Sequence, residues 1–175
     1  MLNLNALANW ESAVLASIRG AAGTIEERDA QITRSGMYAE YPAILDSYLE
    51  LVDGPDLPAD TRLEALKRTT FLVWYSFCVP SVDSGMSEIP ESIARHVMDA
   101  LDSALAGNRG DDELRAMLAW YRDTFAEPFD FFGPVRSLDP FIRDMTTDDA
   151  RRTLAASGFS GRGQLGLYWS SILGG

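Results

Sequence analysis

Apolar side chains recur at helical spacing along nearly the whole chain, and glycine and proline interrupt them at short intervals. Leu7, Val14, Leu15 and Ile18 stand at i, i+7, i+8 and i+11, which puts them on one helical face. Ile44, Leu45, Tyr48, Leu49 and Val52 repeat the pattern behind Pro42, a residue tolerated in a first helical turn. Gly54-Pro55 is expected to end that helix with a left-handed cap and a residue that cannot continue it. Leu63, Leu66, Thr70, Trp74 and Phe77 share a third face behind a cap at Asp60. Ile93, Val97, Leu101 and Ala104 form a fourth, opened by Ser87 and Pro90 and closed by Gly107. Leu114, Met117, Leu118, Tyr121 and Phe125 form a fifth behind the acidic start Asp111-Asp112, which suits the helix dipole. Thr146 and Asp149 read as a capping box for a helix over 151–157, and 164–173 reads as a last short helix. Residues 24–36 are polar and read equally as a short helix or a loop.

The expected fold is therefore all-α: a single-domain bundle of about six to seven helices over residues 1–175, with a long aromatic, proline-rich loop. Phe71–Val79 is the ambiguous stretch. It is apolar all round and rich in strand-favouring residues. The helical run-up over 62–68 and the lack of a strand partner elsewhere favour a central buried helix, and Cys78 is then expected in the core.

Charge narrows the function classes. The chain carries 15 basic and 26 acidic side chains, a net charge of −11. Nucleic-acid binding needs a basic stripe that releases counterions from phosphates, and none is present, so no nucleic-acid partner is expected. An anionic membrane surface is disfavoured for the same reason. The longest apolar stretch, Phe71 to Pro80, is about half the ~20 residues of a membrane span. The first residues hold Glu11 and no base, unlike a signal peptide. A cytoplasmic protein with a free cysteine is expected.

Chemistry-bearing residues are sparse. His96 is the only histidine and Cys78 the only cysteine, so neither a four-ligand zinc site nor a helical di-iron scheme has its ligands, and no cofactor or metal is expected. A nucleophilic mechanism would have to use His96, which lies on the flank of its helix with Asp99 and Asp102 at successive i+3 steps. That ridge reads as a solvated helix side, and no catalytic residue is assigned. Gly161-Arg162-Gly163-Gln164-Leu165-Gly166 matches the dinucleotide fingerprint in letters only: a helix precedes it, and the chain ends before the expected acidic residue. It reads as a flexible connector, with Arg162 and free amides as an alternative anion site.

The segment 125–141 is the least ordinary part, with five phenylalanines and three prolines. Either its rings plug the bundle or Phe129, Phe131 and Phe132, with Arg136 and Arg143 at the edge, form an aromatic contact surface. A pocket between helix ends is the other candidate, lined by Trp74, Tyr75, Trp120 and Tyr121 and supplied with a polar group by Asp83.

Phe71–Tyr75, the stretch 80–85 and Arg162–Trp169 resemble uncharacterised bacterial all-helical proteins with no assigned activity. The resemblance implies that 71–85 and 162–169 meet in space, with the tail docked on the central helix. It implies no catalytic residue. The reading that follows is a non-catalytic interaction protein (a regulator, adaptor or immunity-like partner) whose acidic surface steers toward a basic protein. A small-molecule-binding protein or enzyme with an aromatic-lined pocket is the alternative, and a homo-oligomer closed through the aromatic segment is a third.

Overall fold

The computed structural model describes residues 3–87 and 89–174. The described residues are all-α, with 11 helices, 8 of them of seven residues or more. The excess over the expected number comes from single-turn helices inside connectors and from the polar stretch after Gly23, which is helical.

The centre of the molecule is α4, Ala59–Cys78. Every side chain from Ala65 to Trp74 is buried, so the ambiguous apolar run is a helix and not a strand. Its periodicity is hidden because neighbours cover it on all sides: α3 (Glu40–Asp53), α6 (Glu91–Ala106), α8 (Glu127–Phe131) and α11 (Gly163–Leu173). Only the last turn leaves the bundle. Phe77 and Cys78 are exposed there, and this corrects the expected core position of Cys78. Its Sγ donates weakly to the Trp74 carbonyl at 3.5 Å, and partial desolvation pushes the thiol up to about 11.

Helix α1, Leu4–Arg19, packs on α3 and α11, with Asn3 accepting from the amides of Asn5 and Ala6 at its start. Helix α2, Ile25–Ser35, starts with a capping box between Thr24 and Glu27 and leads through a 3-10 turn into α3. Gly54 ends α3 in an extended conformation (φ −63°, ψ 102°), not the left-handed cap expected of it. No side chain caps α4: its N-cap is Pro58, and Asp60 lies within the first turn. The connector after Pro80 holds the single turn α5, Ser81–Ser84. Helix α7, Asp112–Thr124, is capped by Asp111 and packs against α10, Thr147–Ala155, which begins with the expected Thr146–Asp149 capping box. Between them the aromatic segment folds into α8 and α9 (Leu138–Ile142), two turns that anchor it to α4, α6 and α7.

One hydrophobic cluster runs from Leu7 to Trp169. Its aromatic part stacks Trp74 on Tyr121 at 4.3 Å and Tyr121 on Trp169 at 6.0 Å. Tyr168 lies 5.4 Å from Phe71 and 5.6 Å from Tyr75, and Gln164 donates to the Ser84 carbonyl at 2.8 Å. The tail thus sits on the central helix, with 162–169 against 71–85. No helix among the described residues is long and apolar enough to cross a membrane.

Candidate functional site

The aromatic segment divides between core and surface within one turn. Phe129 is 1% exposed and Phe132 is buried, whereas Phe131 is 67% exposed. Pro128 stands in the first turn of α8, where proline is tolerated, and the turn places positions 129 and 132 inward and 131 outward. Phe131 meets Phe132 edge-on at 5.0 Å and lies 6.1 Å from Phe77, itself 39% exposed. Together with Ser76, Ser87, Ile89, Pro90 and Glu91 they line an open hollow of about 510 Å³. Four large apolar side chains are exposed among the described residues, and two of them adjoin here.

Arg136 and Arg143 are exposed but do not line this hollow. Arg136 lines another, beside Phe141 and Asp111, and the Arg143 carbonyl accepts from Arg115. The guanidinium that does reach the aromatic turn is Arg95, which donates to the Phe132 carbonyl at 3.2 Å and to Glu91 at 2.7 Å. The i,i+4 spacing of Glu91 and Arg95 marks a helical ion pair, but nothing in the sequence ties it to the turn at 132.

The four aromatic candidates of the helix-end pocket are not gathered in one cavity. Trp74 and Tyr121 are core, with Trp74 Nε1 donating to the Phe125 carbonyl at 2.9 Å. Trp120 is half-buried and donates to the Tyr168 hydroxyl at 2.9 Å. Tyr75 and Asp83 do share a hollow of about 320 Å³ between α1, α4, α5 and α11. Asp83 is exposed and paired with Arg28 at 3.1 Å. His96 pairs with Asp53 at 2.9 Å across the surface, away from Asp99 and Asp102.

Sequence reasoning missed a polar network built into the core. Arg162, expected in a flexible connector, is buried: its Nε and Nη2 grip Glu64 at 2.8 and 2.6 Å, and Nη2 also reaches Glu113 at 2.7 Å. Lys67 joins Glu113 at 2.9 Å and Asp111 at 2.7 Å. Burial opposes ionisation of Glu113, but the hydrogen bonds from Arg162 and Lys67 outweigh it and hold its carboxyl down at about 2. Arg68 bonds Glu64 at 2.7 Å and the Tyr48 hydroxyl at 3.2 Å.

Tyr48 donates in turn to Glu11 at 2.6 Å, and the Gln164 amide donates to the other Glu11 oxygen at 2.8 Å. Glu11 is 1% exposed. Its burial, partly offset by Tyr48, Gln164 and Arg68, pushes its pKa up to about 6. The Gln164 amide at the start of α11 therefore holds an anion, and it is the protein's own carboxylate. Gly163 permits this: its φ is +60°, and a Cβ there would overlap the Glu11 carboxylate. A signal for Glu11 exists, since it stands four residues after Leu7 and four before Leu15, on the apolar face.

Compared with family models, with curated proteins and with solved structures, the chain matches none.

Proposed function

We propose that the protein is a non-catalytic interaction protein of the cytoplasm, which docks a basic protein on the Phe77–Phe131 surface. The observation that carries the reading is the adjoining of two exposed phenylalanines over a hollow in which Phe132 and Ile89 continue the apolar floor. Exposed aromatic rings backed by well-packed ones have the character of interface hot spots. The nearby side chains favour a cationic partner. Arg95 and Arg122 are already engaged by Glu91 and Asp130, and Glu127 is exposed on the same turn. With a net charge of −11, the long-range field attracts basic proteins and repels second copies.

A photo-crosslinking residue at position 131 tests this in cells, with the same residue at the exposed Ile25 as control. A discrete product with one basic protein, formed from position 131 and not from 25, is expected. A product with a second copy of this chain, or no product specific to 131, overturns the reading.

A further inference from the structure

The hollow between α1, α4, α5 and α11 lies apart from the surface assigned to a partner. Phe77 lines one hollow, and Tyr75 and Val79, two residues to either side, line the other. We infer that this second hollow is a binding site for a small organic acid, with the carboxylate on Arg19 and an aromatic or short hydrocarbon body against Tyr75, Tyr168 and Leu167.

Three observations converge on it. The first is shape: about 320 Å³ between the last turns of α1 and α4, the turn α5 and the length of α11 lies at the lower end of ligand-sized pockets. The second is the wall. Tyr75 and Tyr168 meet edge-on at 5.6 Å, Val79 and Ile172 flank them, and Leu167 is left 49% exposed at the rim. An apolar ligand would cover that leucine as packing within the chain does not.

The third is the polar complement. Gln164 is buried and lines the hollow. Its Nε2 is engaged by Tyr41 and by the Ser84 carbonyl, and its Oε1 has no partner among the described residues. The Tyr75 hydroxyl has none among them either. Both are open to a ligand hydroxyl, amide or bridging water. The charge in the hollow favours an anion. Arg19 is in no ion pair among the described residues, while Asp83, a carboxylate lining the same hollow, is paired with Arg28 at 3.1 Å. A guanidinium binds a carboxylate with two parallel hydrogen bonds, so an acid gains there what its neutral amide cannot.

The test uses 4-phenylbutyrate and its neutral amide as probes, titrated into the whole protein and followed by backbone amide resonances. Four proteins are compared: wild type, Arg19→Gln, Ser171→Trp, which fills the mouth, and Phe131→Ser, which touches only the partner surface. The acid is expected to shift resonances of residues 15–19, 75–83 and 164–172, to bind at least about tenfold more tightly than the amide, and to weaken about tenfold in Arg19→Gln. Ser171→Trp should abolish binding and Phe131→Ser should leave it unchanged. Arg19 and Ser171 are exposed, so both variants are expected to keep the fold. Equal binding of acid and amide, an Arg19→Gln protein that binds as wild type, shifts outside this hollow, or no binding at millimolar probe would each overturn the inference. Failure here leaves the crosslinking result at position 131 standing, and the converse holds.

Discussion

Replacing Glu11 by glutamine should change how stability depends on pH, whatever it does to stability itself. Glu11 ties α1 to Tyr48 of α3 and to the Gln164 amide of α11, and 1% of it is exposed. The carboxyl titrates at about 6 in the native protein against 4.5 in the unfolded chain. Because the native state holds the proton more tightly, the stabilisation is fully present below about pH 4.5. It is lost as pH rises through about 6. The shift corresponds to about 2 kcal/mol, or about 4–8 °C in melting temperature for a chain of this size.

Glutamine cannot titrate. It also turns an amide N–H toward one of two donors, which shifts stability by the same amount at every pH, so the readout is the difference between the two proteins as pH changes. Urea denaturation of both from pH 4.5 to 7.5 at constant ionic strength cancels the carboxylates they share. Wild type should lose about 2 kcal/mol relative to Glu11→Gln across that range. A flat difference, or one of opposite sign, would refute the reasoning that burial controls this carboxyl.

Three further outcomes follow from the same core. Arg162→Ala leaves Glu64 and Glu113 facing each other without their shared cation and should cost about 3–5 kcal/mol, read by denaturation at pH 7. Gly163→Ala should cost more than about 1 kcal/mol, and less in a Glu11→Ala background, where only the strain at φ +60° remains. Thr70→Val should stabilise by about 1 kcal/mol and raise the melting temperature, because the Thr70 hydroxyl is buried without a hydrogen-bond partner among the described residues and valine has nearly its shape.

The helices were legible where one face of a helix meets the core. Leu7, Val14, Leu15 and Ile18 announce α1 by spacing alone, and the Thr146–Asp149 box announces α10. What spacing does not carry is the identity of a partner far along the chain. Glu11 and the Gln164 amide are 153 residues apart, and Arg162 meets Glu64 across 98. A charged residue on an apolar face, such as Glu11, reads as a defect until its partner is placed, and Arg162 between two glycines reads as part of a connector until Glu64 and Glu113 are placed. Cys78 shows the reverse limit: an apolar run predicts burial only as far as neighbours cover it, and at the end of α4 they cover Tyr75 in part and leave Phe77 and Cys78 exposed. In the 125–143 segment, a single proline-led turn separates buried Phe129 from exposed Phe131, a distinction set by tertiary anchoring and not by composition.

The docking surface is tested most directly by affinity capture of the tagged protein from its own cells, washed at low and high salt, beside a Phe77→Ser/Phe131→Ser variant with an unchanged melting temperature. A basic protein is expected that is retained at low salt, released at high salt and missing from the variant. Retention that is the same for both proteins, or that salt does not weaken, would contradict it.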